Sequence, residues 1–351
     1  MRKYRTVIIG MGRMGRTRYD AMKKHGGFDV VGVCDSNEEL LSDYDINRYG
    51  DWKCCIDQEQ PEVVAVCTVN AVIPSVVCYG LEKGCHVFAE KPPGRCLEDA
   101  LLMRDALGRC EGQVLKFGFN HRYHYGVIEA KSLIDSGFLG EVVAARGVYG
   151  KAGDLRRQEW RNDISIAGGG ILLDQGIHML DLLRYFVGDF TLVEGFTENL
   201  VWKNAAGEDT AFVTLKTDSG KVATMHSSAI QWKHKFDLDI TCTEGYIALN
   251  GLLTSTQSYG EERITYYKRD LELKSGKLGN PTEYTMCFDE DRSWDFEIAE
   301  FYDAVSGKRS LVNGTVDDAV AVMELIDRVY GKDVELQKSH GAEKNEDEGA
   351  C

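Results

Sequence analysis

With 351 residues the chain is long enough for two domains, and its 43% apolar and 28% charged residues are those of an ordinary globular protein. A formal charge of −15 lacks the cationic footprint that a nucleic-acid partner needs, and no apolar stretch approaches the roughly 20 residues of a membrane helix. Eleven cysteines, an odd count without a C-x-x-C pair, read as core residues kept reduced in the cytoplasm.

The opening Met1-Arg2-Lys3 runs directly into an apolar strand and lacks the apolar core and cleavage site of a signal peptide. Through residue 120, short apolar runs alternate with amphipathic stretches, the pattern of βαβ units feeding a parallel sheet. Strands are expected at 6–9, 30–34, 63–68, 86–89 and 114–119, with helices at 14–25, 38–49, 73–83 and 97–110. The adjacent Cys54 and Cys55 have no second Cys/His pair at zinc spacing, so no metal site is expected.

Beyond Asn120 the rhythm changes. A helix near 127–136 and a strand near 142–149 precede a glycine cluster and a long apolar helix. From Leu192 strands dominate, among them 211–217 and 222–228, before late helices near 294–305 and 316–329. The expected fold class is α/β: an N-terminal doubly wound Rossmann sheet in residues 1–120, then an α+β domain with a large, mostly antiparallel sheet in 121–338. The tail from Ser339 to Cys351, with its run Glu346-Asp347-Glu348, has no apolar periodicity and reads as a disordered acidic end.

Gly10-Met11-Gly12-Arg13-Met14-Gly15 follows an apolar strand and opens a helix, so its glycines suit a tight turn, close approach of a pyrophosphate and helix-to-strand packing. Alone the pattern is weak. The second strand ends at Asp35, 20 residues beyond Gly15, where a ribose-binding carboxylate belongs; capping of a helix at Glu38 is the competing role. Ser36 and Asn37 offer nothing to a 2′-phosphate, which favours NAD, although Arg13 and Arg16 keep NADP as the less favoured cofactor.

Ala89-Glu90-Lys91-Pro92-Pro93 falls at the carboxyl end of the expected strand 86–89, the edge at which open α/β sheets bind ligands. The Lys91 ammonium suits a reacting oxygen that gains negative charge; alone, a surface lysine explains it better. In Gly168-Gly-Gly-Ile-Leu-Leu-Asp174-Gln-Gly-Ile-His178-Met-Leu-Asp181, the three polar residues lie within about 60° of one another at α-helical spacing. His178 suits proton transfer with Asp174 orienting it, against the alternative of a satisfied core histidine with Asp181 as an anchor.

Together these stretches resemble the Gfo/Idh/MocA family (glucose-fructose oxidoreductase, inositol dehydrogenase, rhizopine catabolism). The matching segments are G-M-G-R-M-G at 10–15, C-T-V-N at 67–70, A-E-K-P at 89–92, N-H-R-Y at 120–123, E-W-R at 159–161 and the glycine-led helix at 168–181. The resemblance implies an NAD(P)-dependent oxidoreductase acting on a hydroxyl or keto group of a sugar, sugar derivative or cyclic polyol, with Lys91, Asp174 and His178 catalytic. Thr68, Asn70 and Glu90 would line the nicotinamide and its ribose, Arg122, Tyr123, Trp160 and Arg161 would face nicotinamide or substrate, and Lys91-Pro92 would be cis. A homodimer or homotetramer formed through the second-domain sheet is also implied. Val69 stands where proline is usual, and Pro93 follows Pro92 where another residue is usual; neither removes a reacting group.

Two other functions use the same fold: a non-catalytic dinucleotide-sensing regulator and a glycoside-modifying enzyme that oxidises its substrate transiently. The cation-rich stretch with Lys151, Arg156, Arg157 and Arg161 suits an acidic or phosphorylated sugar, while pairing with Asp154, Glu159 and Asp163 is the competing explanation.

Overall fold

In the computed structural model, residues 1–153, 159–203, 205–269 and 282–331 are described. Asp154, Arg156, Arg157 and the expected acidic tail lie outside them.

Six parallel strands form the first sheet: β1 (Tyr4–Ile9), β2 (Phe28–Cys34), β3 (Asn47–Tyr49), β4 (Val63–Val66), β5 (His86–Ala89) and β6 (Leu115–Phe117), in the order β3-β2-β1-β4-β5-β6. Every residue of β4 is buried, as expected of a central strand covered on both faces. The connecting helices are α1 (Arg13–His25), α2 (Trp52–Glu59), α3 (Ile73–Glu82) and α4 (Leu97–Gly108). The order reverses between β1 and β4, which makes their carboxyl ends the crevice of the sheet.

The helix expected at 38–49 does not form. Asn37 caps a single tight turn, Glu38–Leu41; the polar run after it leaves the helix, and Asn47–Tyr49 pairs with β2 instead. The helix of this unit, α2, starts later, where Asp51 accepts a hydrogen bond from the Cys54 amide. On it Cys55 is buried and Cys54 exposed, so the adjacent thiols do not face one site.

After α5 (Tyr125–Asp135) comes the second sheet: β7 (Val142–Ala152), β8 (Leu192–Glu198), β9 (Thr210–Lys216), β10 (Val222–Ser228), β11 (Ile230–Cys242), β12 (Gly245–Asn250), β13 (Glu262–Lys268) and β14 (Tyr284–Phe288). Their order is β14-β13-β12-β11-β7-β10-β9-β8, antiparallel throughout except for β7 with β10. The segment between β7 and β8 holds α6 (Ile164–Ala167), a π-helical turn over Leu172–Gly176 and α7 (Ile177–Val187), which packs on β7 and β10.

The last two helices return to the first sheet. α8 (Ser293–Val305) packs on α1 and places Phe301 against Phe28 and Phe88, while α9 (Val316–Val329) packs on α4 and α7. Buried aromatic area of this kind dominates packing energetics, so α8 ties the end of the chain firmly to its beginning.

Candidate functional site

The loop between β1 and α1 is shaped by close contacts. Gly10 has φ +92° with its α-carbon pressed toward the Cys67 carbonyl, and a Cβ on Gly15 would stand 1.9 Å from the Gly10 carbonyl oxygen. A Cβ on Gly12, by contrast, would meet nothing within 4 Å. Gly12 has no side chain to cap α1, whose first residues Arg13 and Met14 therefore present a helix N-terminus over open space. Asp35 directly follows β2 and accepts hydrogen bonds from the Met11 amide at 2.7 Å and the Asn37 amide at 2.9 Å. It orders the loop instead of capping the following turn, a role that Asn37 takes. An open glycine, a bare helix N-terminus and a fixed carboxylate fit a dinucleotide.

Three further residues expected near the nicotinamide lie on the same sheet edge. The Thr68 backbone abuts Gly10. Asn70 donates from Nδ2 to the Ala167 carbonyl at 2.7 Å, joining the strand end to α6. The Glu90 carboxylate accepts from Arg18 Nε at 2.6 Å, and Arg18 lies between the Phe88 and Trp294 rings with Nη1 2.6 Å from Glu297 Oε2. Glu90 thus serves a sealed ion-pair network that joins α1, the edge after β5 and α8.

Lys91 follows immediately, and its peptide bond to Pro92 is cis as expected. Its Nζ donates to the Asp174 carbonyl at 2.7 Å and stands 4.0 Å from Asp174 Oδ1. Nearby, Gly168 has φ +82°, and a Cβ there would sit 2.6 Å from the Arg95 backbone, so these two segments pack closely. Asp174 lies within the π-helical turn, a local widening that occurs frequently at functional sites. Lys151 Nζ donates to Asp174 Oδ2 at 2.9 Å, and Arg161 Nε lies 3.7 Å from Oδ1. Burial pushes the Asp174 carboxyl up, yet Lys151, Lys91 and Arg161 outweigh it and hold it well below the usual carboxylate range.

His178, on the first turn of α7, stacks on His121 with ring centroids 3.8 Å apart at 18°. His121 is pinned by Asn120 Oδ1 at 3.2 Å and the Tyr149 hydroxyl at 3.1 Å. Burial and the Lys91 charge hold His178 neutral, far below its ordinary value, and its Nδ1 is sealed without a partner. No hydrogen bond joins Asp174 to His178; the Asp174 carboxylate turns to Lys151 instead. The π turn changes the register on which an α-helical spacing depends.

Trp160 and Arg161 line a small cleft with Asn70 and Asp174, the Arg161 guanidinium 4.2 Å above the indole. Arg122 and Tyr123 have their polar ends elsewhere. Arg122 forms a bidentate pair with Asp181 at 2.6 and 2.8 Å and reaches Asp318 at 3.0 Å, while the Tyr123 hydroxyl donates to Glu300 at 2.7 Å. Sequence reasoning passed over Arg18, His121 and the contact made by Lys151. An arginine on the buried stripe of α1, level with Gly15, Ala21 and Met22, was the available sign of an internal ion pair.

The profile of the oxidoreductase family with an NAD-binding Rossmann fold matches residues 4–115, and that of the GFO/IDH/MocA C-terminal domain matches 127–248. The chain belongs to the Gfo/Idh/MocA oxidoreductase family. Among curated relatives of this Gfo/Idh/MocA protein, levoglucosan dehydrogenase of Pseudarthrobacter phenanthrenivorans is 32% identical over 170 residues, covering 46% of this chain and 43% of the relative. D-glucoside 3-dehydrogenase of Escherichia coli is 32% identical over 201 residues, covering 52% and 54%. The chain thus spans about half the length of these relatives. A solved levoglucosan dehydrogenase, in complex with NADH and levoglucosan, superposes with a TM-score of 0.82 at 21% identity over 94% of this chain and 98% of the other, a shared fold.

Proposed function

We propose that this Gfo/Idh/MocA member is an NAD-dependent oxidoreductase moving hydride between nicotinamide and a hydroxyl-bearing or keto carbon of a sugar, sugar derivative or cyclic polyol. The observation that carries this reading is the contact of Lys91 with Asp174 at the carboxyl edge of β5, with His178 close enough for both charges to act on it. Bound nicotinamide would supply the hydride acceptor or donor. Gly10, Gly12, Arg13, Met14 and Gly15 hold the pyrophosphate at the helix N-terminus, and Asp35 takes the ribose and repels a 2′-phosphate. Thr68 and Asn70 shape the nicotinamide side of the cleft.

Lys91, fixed through one donor to the Asp174 carbonyl, turns another to the reacting oxygen and stabilises its negative charge. His178 is neutral, and with Nδ1 sealed it offers Nε2 to the substrate hydroxyl. The Asp174 carboxylate anchors the surrounding cations, and Trp160 and Arg161 face the substrate. Arg122 and Tyr123 hold the scaffold behind it.

We assign cofactor binding to residues 1–120 and substrate binding and assembly to 121–338, in a cytoplasmic enzyme. Across β8, β9 and β10 the outward residues Phe196, Phe212 and His226 stack in register, with Phe196 57% and Phe212 40% exposed. An apolar stripe of this kind supports a homodimer or homotetramer joined through the sheet.

The test is a screen of polyols, sugars, sugar acids, sugar phosphates and nucleotide sugars with NAD and with NADP at equal concentration, read by nicotinamide absorbance. Reduction of NAD by one class is expected. Dinucleotide binding without turnover of any compound would overturn the enzyme in favour of a regulator, and product without net reduction would favour transient oxidation.

A further inference from the structure

A one-way hydrogen-bond chain runs behind His178. Asn120 Nδ2 donates to Ser293 Oγ at 3.3 Å, which leaves Asn120 Oδ1 as the partner of His121 Nδ1 at 3.2 Å. An amide oxygen can only accept, so the His121 ring proton sits on Nδ1 and Nε2 carries the lone pair. The Tyr149 hydroxyl, 3.1 Å from Nε2, is therefore the donor of that bond. Having spent its one proton, Tyr149 accepts from Tyr259, to which it is hydrogen-bonded, and Tyr259 in turn accepts from Gln175 Nε2 at 2.8 Å. The chain thus begins beside Asp174 in the π-helical turn and ends at the first residue of α8. Asn120, His121 and Tyr149 are buried, so water does not readily replace a partner removed here.

What the chain holds is the face of a reacting group. His178 stacks on His121 at 3.8 Å with the planes 18° apart, while Tyr149 and Phe236 pack on His121 as well. His178 has no hydrogen bond at Nδ1, so the stack takes the orienting role that a second hydrogen bond plays for many catalytic histidines. Among the described residues, Lys91, Asp174 and His124 also act on these rings by charge, and His124 is paired with Glu262 at 2.7 Å. A proton on His121 Nε2 would set a further positive charge against His178. Tyr149 would then face two donors with its own proton unplaced, so the chain resists that state.

We propose that His121 and Tyr149 are positioning residues for proton transfer: the Tyr149 hydroxyl locks His121 into one tautomer, and that locked ring, stacked face to face, holds the plane of His178 so that Nε2 meets the substrate hydroxyl. The proposal rests on the reading of His178 as the proton acceptor in hydride transfer.

Histidine-selective ¹⁵N NMR of the protein with NADH reads the tautomer. His121 is expected to show a protonated Nδ1 and a bare Nε2 from about pH 8 to about pH 5.5, and Tyr149→Phe should replace this with averaged signals of both tautomers. Turnover is read with the sugar or polyol that the parent uses best. Tyr149→Phe keeps the ring and should lower kcat about tenfold with KM and NAD affinity nearly unchanged, as expected of a general base held loosely. His121→Phe should cost a similar factor, and adding Tyr149→Phe to it should cost nothing further, because Tyr149 acts through His121. A parent spectrum with the His121 proton on Nε2 overturns the proposal, even if a variant folds poorly. So does a parent-like kcat in Tyr149→Phe, a rise in KM alone, or additive losses in the double variant. If the parent turns over no sugar while His121 shows one tautomer that Tyr149→Phe abolishes, the lock is sustained and the hydride-transfer reading is overturned.

Discussion

Asp174 and Asp181 lie seven residues apart on one stretch of chain, and both are surrounded by cations, yet they do different work. Around Asp181 the charges are paired directly: Asp181 and Asp318 face Arg122 and Arg184, Arg184 also holds the exposed Asp189 at 2.6 Å, and Arg122 lies 4.8 Å from the Tyr185 ring. Around Asp174 three cations meet one carboxylate at a cleft. A cluster whose charges are bound to one another by short bonds is an anchor, since its interactions are made before anything binds. The Asp174 cluster borders the cleft with Asn70 and Trp160, where a ligand can reach it.

The comparison breaks most visibly at Lys91. Lys91→Met should cut turnover by roughly 10²–10³-fold, the usual effect of removing one preorganised donor from a reacting oxygen. Its melting temperature and cofactor affinity should stay close to the parent's. If turnover survived while the protein melted early, the Asp174 cluster would be a second anchor.

Arg122→Met is the opposite experiment. It strands Asp181, which is 1% exposed, together with Asp318, and the loss of a buried pair's partner costs about 3–5 kcal/mol. Denaturant unfolding should show that loss, with cofactor binding retained by the folded fraction. A stable variant with poor turnover would move Arg122 into the substrate site.

The stacked histidines give a smaller, pH-dependent signal. Burial holds both His121 and His178 well below their ordinary value, so the folded protein keeps them neutral where the unfolded chain takes up protons, below about pH 6.5. Stability should therefore fall as pH drops from 7 toward 5, with each ring contributing a slope of up to about 1.4 kcal/mol per pH unit. His121→Phe keeps a ring against His178 and should remove one ring's share, measured by urea unfolding at several pH values. An unchanged slope would mean that His121 titrates normally in the fold.

What the sequence revealed followed the range of the forces involved. The Gly10–Gly15 loop and Asp35 were legible because backbone geometry fixes spacing over a few residues and one βα unit. Lys91, Asp174 and His178 were legible as segments, but their pairing was not. Helical spacing placed Asp174 beside His178, whereas the turn at Leu172–Gly176 and the reach of Lys151 from the end of β7 gave it another partner. The partners of Arg122 were hidden for a related reason: Asp181 and Asp318 are 59 and 196 residues away, and the packing of α9 on α7 brings them together. The expected 38–49 helix failed on local grounds, through the polar run after Leu41.

The smallest predicted effect lies inside the anchor itself. Thr315 caps α9 reciprocally: its hydroxyl accepts from the Asp318 amide, and its own amide and hydroxyl each donate to Asp318 Oδ2 at 3.1 Å. The carboxylate that Arg122 grips is therefore aimed by the cap. Thr315→Ala should cost about 1 kcal/mol of unfolding free energy, the ordinary value of such a cap, because Asp181 still neutralises Arg122 through two shorter bonds. Turnover should not change, since the anchor has no interaction left to give a ligand. A loss near that of Arg122→Met would show that Asp318, more than Asp181, holds the guanidinium, and that balance in this cluster depends on the helix cap.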